Sequence, residues 1–198
     1  DALPASGGMV RIPAGTYELR QPLVIRTGDV KLEGSSTATH LVNRSPDRQP
    51  AVLIKHADYP KNRKARLWRV TLADFRVSGT KESGDGIRAE GVDEIYLRGV
   101  AVDHHGGNGT VLNDCYEDPR VIGNIITYNA AAGLLLDSFN LCMTGNNLDD
   151  HLRVSVRFSQ VKIVKKSARS AAELAGGASL RATTRCGAAI NEHPSSRT

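Results

Sequence analysis

The chain has 198 residues, a length that fits one domain, and its formal net charge is +5. Residues 154–198 hold eight Lys and Arg against two Glu, a net of +6, so residues 1–153 carry a net of −1. Because the net positive charge is confined to this segment, the net charge of the chain does not support nucleic acid as the partner. The sequence contains no apolar run of about 18 residues, which predicts that no helix spans a membrane.

The amino-terminal segment predicts short strands separated by turns. Residues Gly7–Tyr17 alternate apolar and polar side chains and close on a Pro-x-Gly turn. Two further strands are predicted at Pro22–Ile25 and Val30–Gly34, with Thr27–Asp29 as the turn between them.

Residues 43–66 interrupt this rhythm. Polar, proline-containing segments at 43–50 and 59–66 flank the predicted strand Ala51–Lys55. Insertions of this kind form loops that gather on one face of a solenoid. The stretch Lys61–Arg66 contains four basic residues, which predict either a solvated loop or a contact for an acidic glycan.

A glycine-led phrase then returns at nearly constant spacing. Its starts lie 23 and 24 residues apart, at Gly86, Gly109 and Gly133. A second phrase follows each of them in step, with its glycine at Gly99, Gly123 and Gly145. The segments between these glycines are short and rich in Val, Ile and Leu, and they leave no room for a helix of normal length.

A repeat of about 23 residues with two or three short strands describes one coil of a parallel β-helix. We therefore predict an all-β fold, a right-handed single-stranded parallel β-helix (a solenoid) from about Met9 to Leu148. Its handedness follows from the crossover rule for parallel strands. We expect the corner glycines to stack, and Ile87, Val111 and Leu135 to lie near the core.

The repeat fades near the carboxyl terminus, so residues 1–152 are predicted to form the β-helix and residues 153–198 an atypical basic tail. Two strands are expected around Val154–Phe158 and Val161–Val164, but no Gly-Asn turn follows them. A stacked array needs a cap on its last coil, and the tail offers little that fills a core. We expect the tail to be poorly ordered or to replace lost coils.

Alignment of the coils on the second glycine places polar residues in vertical files. The files read Ser78, Asp103, Thr127, Asp149; Gly79, His104, Tyr128, Asp150; and Thr80, His105, Asn129, His151. Neighbouring coils lie about 4.8 Å apart. We therefore expect one exposed patch that contains Asp103, His105, Thr127, Tyr128, Asp149 and His151. Asn124 and Asn146, in contrast, are predicted to form a structural ladder.

Two stretches resemble known families. Residues 7–17 read Gly-Gly-x-Val-x-Ile-Pro-x-Gly-x-Tyr and, with the Pro-Leu-x-Ile and Val-x-Leu-x-Gly phrases that follow, resemble the first coils of right-handed β-helices of the pectate-lyase superfamily. The resemblance covers residues 1–152. It implies the fold but does not select a reaction, because the same coils serve lyases, hydrolases, epimerases and phage tailspikes. Asp103–Gly106 is similar to the Asp-Pro-His-Asp phrase of mannuronan epimerases, with His104 in place of the proline and Gly106 in place of the second aspartate. The Asn-Thr-Asp and Gly-His-Gly phrases of polygalacturonases are absent from the sequence.

The leading hypothesis is an enzyme that acts on an acidic, uronate-containing polysaccharide by abstracting the C5 proton, as lyases and epimerases do. His105 is the expected base, because an unperturbed imidazole titrates near neutral pH. Asp103 would orient His105, and His151 or Tyr128 would return a proton. The remaining candidates would bind substrate: Thr127 and Asp149, with Arg88 and Arg98 to neutralise the carboxylate.

Two alternatives remain open: a non-catalytic glycan-binding, adhesion or tailspike-like module, and an inactive truncated remnant. The expected partner is an acidic polysaccharide, without nucleic acid, and the protein is expected to be a secreted or cell-surface monomer or homotrimer. No cofactor is assigned. The cysteines at 115, 142 and 186 lack metal-ligand spacing. Calcium is a candidate ion, and Asp149, Asp150 and His151 are candidate ligands for a divalent cation, since carboxylates with imidazole suit several such ions.

Overall fold

The computed structural model describes residues 3–138, 140–149 and 153–157, which form strands and connecting turns and no helix. The strands pair in parallel with strands one repeat away, and they stack into a solenoid of six coils with three faces. The predicted all-β, parallel β-solenoid fold is confirmed.

Each face is a row of parallel strands, one from each coil. Face 1 consists of β1 (Gly8–Arg11), the first part of β4 (Val30–Asn43), the first part of β7 (Thr71–Ser78), β10 (Tyr96–Arg98), β13 (Arg120–Ile122) and β16 (Cys142–Thr144). Face 2 consists of β2 (Gly15–Leu19), the second parts of β4 and β7, β11 (Ala101–Asp103), β14 (Ile125–Thr127) and β17 (Asn147–Asp149). Face 3 consists of β3 (Leu23–Ile25), β5 (Val52–Lys55), β8 (Ile87–Glu90), β12 (Thr110–Cys115), β15 (Ala132–Ser138) and β18 (Arg153–Arg157). At the corner between faces 3 and 1, β6 (Leu67–Trp68) pairs with β9 (Val92–Asp93).

The core is a set of apolar files that run along the solenoid axis. On faces 1 and 2 the middle residue of each three-residue strand points inward, because side chains alternate along a strand. The inward file of face 1 is Leu32, Leu72, Leu97, Val121 and Met143. The inward file of face 2 is Leu41, Val77, Val102, Ile126 and Leu148. These residues belong to one buried apolar cluster.

The predicted register of face 3 is right for Ile87 and wrong for Val111 and Leu135. Ile87 is aligned with Thr110 and Leu134, and all three are buried. Val111 and Leu135 are aligned instead with Arg88, on the outward side of the sheet. Leu135 is only half-buried, whereas Val111 is buried but lies outside the apolar cluster. The sequence did not reveal this register, because the inward position next to Val111 is occupied by the polar Thr110.

The corner between faces 1 and 2 is a tight turn held by the predicted asparagine ladder. Asn124 Oδ1 accepts the backbone N–H of Val100 at 2.9 Å, and Asn146 Oδ1 accepts that of Asn124 at 2.9 Å. The amide of Asn124 donates to the carbonyl oxygen of Leu97 at 3.1 Å. These bonds satisfy buried backbone groups of successive coils, so the ladder is structural.

The insertion at residues 56–66 packs over the corner between faces 3 and 1. The Tyr59 hydroxyl donates to Asp114, and Arg66 donates two hydrogen bonds of 2.6 Å to the carboxylate of Asp93. Arg63 also pairs with Asp114, at 2.9 Å. Two of the four cations in this loop therefore anchor it to the coils, while Lys61 and Lys64 are exposed.

The stack continues into β18, which pairs with β15, so the first of the two strands expected near the carboxyl terminus is present. The other strand and the rest of the tail lie outside the described residues, and the domain division at residue 152 stays a prediction. Within the described ranges, no helix has the length and apolar character that a membrane crossing needs.

Candidate functional site

The polar files predicted at the end of face 2 are aligned as the sequence indicated. Asp103 lies opposite Ser78 on one side and Thr127 on the other, and Thr127 lies opposite Asp149. One residue further on, the rings of His104 and Tyr128 stack with centroids 5.2 Å apart and planes at 26°. We call Asp103, His104, Thr127 and Tyr128 the corner patch.

Asp103 is a buried carboxylate, and both of its oxygens make close polar contacts with neighbouring side chains. Arg76 donates two hydrogen bonds to it, from Nε and Nη2, each 2.8 Å long. Nδ1 of His104 lies 2.6 Å from Oδ1 of Asp103. Burial alone would raise the pKa of Asp103, but the Arg76 guanidinium and His104 outweigh burial and hold this pKa below its ordinary value. The ionised carboxylate makes Nδ1 of His104 the donor and so fixes the orientation of its ring.

His104 and Tyr128 project from the solenoid at matching positions of neighbouring coils. The His104 side chain is 60% exposed, and Tyr128 is 56% exposed. Both residues have positive φ, 58° and 54°, which is uncommon for side chains of this size. The left-handed turn ends the β-strand and presents both rings on the outer surface.

The expected base, His105, does not lie on this surface. It is 1% exposed, and its backbone N–H donates to Oδ1 of Asn129 at 3.1 Å. Its ring fills the space beside two glycines, since a Cβ at Gly79 would come within 2.5 Å of Nδ1 and one at Gly86 within 2.9 Å of Cδ2. The prediction that His105 belongs to an exposed patch is therefore wrong.

Burial gives His105 a neutral ring. Desolvation lowers the pKa of His105 to about 4, and the backbone of Val77 and the carboxylate of Asp103 offset this only in part. Neither ring nitrogen makes a hydrogen bond of normal geometry within the described part of the chain. Asn129 occupies the same inward corner position one coil further on, where its side-chain amide donates to the carbonyl oxygens of Val102 and Thr127.

The other predicted residues divide between the file of Asp103 and the other two faces. Thr127 and Asp149 are half-buried on face 2, and His151 and Asp150 lie outside the described residues. Arg88 lies on face 3, paired with Asp85 and Glu90. Arg98 lies on face 1, where it pairs with Asp74 at 2.8 Å. Arg88, Arg98 and Asp103 therefore lie on three different faces, and the substrate-binding role of the two arginines stays a prediction.

Three residues at this site were not predicted: Arg76, His104 as the exposed imidazole, and Ile125, which is 51% exposed. Arg76 shares the outward side of β7 with Ser78, two residues away, so the alternation of side chains was a usable signal. Within the described ranges, no group of three or more His, Cys, Asp or Glu is arranged to hold a metal ion, and the calcium site stays a prediction.

Comparison with known proteins supports the fold. No protein-family model matches the chain, and no curated protein matches it. A solved structure of ORF18 from Geobacillus virus E2 is similar, with a TM-score of 0.64, 18% sequence identity and coverage of 77% of this chain. The match covers 34% of that chain, so this protein spans about a third of its length. At this identity the likeness shows the fold alone.

Proposed function

We propose that this β-solenoid is a carbohydrate-binding protein that holds a glycan on the corner patch. The observation that carries the proposal is the stacked, exposed pair His104–Tyr128 on a rigid coil corner. Aromatic rings present a flat apolar face with a polar edge, which suits the C–H faces and hydroxyls of sugars. Ile125 extends the apolar surface, and the hydroxyl of Thr127 supplies both a donor and an acceptor.

The charge of face 2 favours a neutral glycan over an acidic one. Its outward positions carry one cation, Arg76, against three carboxylates, Glu18, Asp103 and Asp149, and the neighbouring Arg44 is paired with Glu18. Arg76 is already bidentate to Asp103, so it is not free to neutralise a uronate carboxylate. A tailspike-like or adhesion role, at the cell surface or after secretion, is compatible with this proposal and with the viral source of the similar structure.

One observation favours a second candidate, C5-proton abstraction from a uronate. Asp103 and His104 form an oriented dyad at 2.6 Å, and the Tyr128 ring is stacked on the imidazole. In this candidate His104, rather than His105, takes the proton through Nε2, and Tyr128 returns one. The resemblance of the sequence to right-handed β-helices of the pectate-lyase superfamily agrees with this second candidate.

Replacement of Tyr128 or His104 by Ala is expected to weaken glycan binding at least fivefold, because the loss of a ring contact costs about 1 kcal/mol or more. The measurement is calorimetry against dextran, laminarin and xylan as neutral glycans. Trp68→Ala is the matched control, since Trp68 is an exposed aromatic residue at the corner between faces 3 and 1.

Equal affinity in the parent chain, Tyr128→Ala and Trp68→Ala would refute binding at the corner patch. The same proteins are assayed for unsaturated uronate on alginate and polygalacturonate, and the products are examined by NMR for epimerisation. Turnover that His104→Ala abolishes would establish the second candidate in place of the first.

A further inference from the structure

Face 1 has a charge opposite to that of face 2. Its outward positions carry four cations, Arg11, Lys31, Arg98 and Arg120, against one carboxylate, Glu33. These cations come from the first, second, fourth and fifth coils and lie in two neighbouring files along the solenoid axis, with Arg11 and Arg98 in one file and Lys31 and Arg120 in the other. We call these four side chains the basic row.

The single carboxylate of face 1 is shared by three of these cations. Glu33 accepts from Arg11 at 3.1 Å, is paired with Lys31, and lies 3.9 Å from Arg98. Hydrogen bonds from Lys31 and then Arg11 lower the pKa of Glu33, which therefore stays ionised. At the adjoining corner Asp74 pairs with Arg98 at 2.8 Å, so the two carboxylates of Glu33 and Asp74 offset two of the four cations and leave an excess of +2.

Arg120 is the most available member of the basic row. It is exposed, and its guanidinium lies over the ring of Tyr96, 4.8 Å from the centroid. Among the described residues it has no carboxylate partner. The ring holds the guanidinium against the sheet while its hydrogen-bond donors remain open to an anion.

We propose that face 1 binds an acidic polysaccharide along the basic row, separately from the corner patch. Successive coils lie about 4.8 Å apart, and four of the first five coils each contribute one cation, so the row presents positive charge along the axis to an extended chain that carries an anionic group on its sugars. Tyr96 and Ile122 lie between the cations and supply the apolar surface on which sugar rings pack.

The test is charge reversal in the full chain. The double variant Arg98→Glu/Arg120→Glu is expected to bind alginate and polygalacturonate at least tenfold more weakly at low salt, with a smaller dependence of affinity on salt. The control variant Arg20→Glu/Arg26→Glu makes the same change in net charge at exposed positions outside face 1 and should stay within twofold of the parent chain. Arg120→Gln, which disturbs neighbouring side chains less, should show a smaller loss in the same direction.

Residues 154–198 keep their net charge of +6 in all these variants, so a tail-driven interaction would be equally strong in each. Equal affinity in the two double variants, or tighter binding of single-stranded DNA than of either polysaccharide, would overturn the proposal. Tyr128→Ala should leave alginate binding intact, and Arg98→Glu/Arg120→Glu should leave neutral-glycan binding intact. The two binding proposals, one for the corner patch and one for the basic row, can therefore be refuted independently.

Discussion

Leu97→Ala is expected to lower the free energy of unfolding by about 2–5 kcal/mol, because it opens a cavity in the core. Leu97 is 2% exposed and packs in the inward file of face 1 between Leu72 and Val121. Leu135→Ala removes the same atoms from the half-buried, outward side of face 3 and should cost about 1 kcal/mol or less.

Urea unfolding of the two variants measures this contrast directly. Because each coil contacts only its neighbours, Leu97→Ala should also reduce hydrogen-exchange protection most in the third to fifth coils. If Leu135→Ala destabilised the protein as much as Leu97→Ala, Leu135 would be an inward residue and the register of face 3 would be wrong by one position.

His105→Asn is expected to remove an acid-sensitive contribution to stability. The pKa of His105 is about 4 in the folded chain, below the value of about 6.5 for an unfolded histidine. The unfolded state therefore binds the extra proton, and stability is lost as the pH falls from 6.5 towards 4, by roughly 3 kcal/mol in total. Asp103, Asp85 and His104 are the titratable groups that act on this ring.

The choice of asparagine follows from the next coil. There Asn129 bonds to the carbonyl oxygen of Val102, and Val77 is the residue aligned with Val102 one coil earlier. An asparagine at position 105 should therefore find an acceptor at Val77. Thermal unfolding of the parent chain, His105→Asn and the half-exposed control His56→Asn, each followed from pH 7 to pH 4, measures the difference. If His105→Asn lost as much stability over this range as the control did, the buried imidazole would not be the cause.

The strands and turns could be predicted because both signals are local. Glycines at fixed intervals mark the corners, and short runs of Val, Ile and Leu mark the strands between them. The asparagine ladder was predictable for the same reason, since Asn124 and Asn146 follow the corner glycines directly. The register of face 3 was not, because Thr110 occupies an inward position that Ile87 and Leu134 fill with apolar side chains.

The candidate site was predictable only in its alignment along the axis. Glycine spacing placed Asp103, Thr127 and Asp149 in one file, but it gave no information on which of two adjacent histidines points outward. That choice is made by the positive φ of His104, which turns the following residue into the coil. The separation of Arg88 and Arg98 from Asp103 depends on the three-faced shape of the coil, which no repeat length reveals.

The most direct test of the proposed function is amide chemical-shift mapping of the labelled protein with oligosaccharides of whichever neutral glycan it binds. The account predicts that the largest changes fall at His104, Thr127 and Tyr128, with smaller ones at Ile125 and Arg76, and none along face 1. Changes confined to faces 1 and 3, with the His104 and Tyr128 signals unmoved, would contradict the claim that the corner patch is the glycan-binding surface.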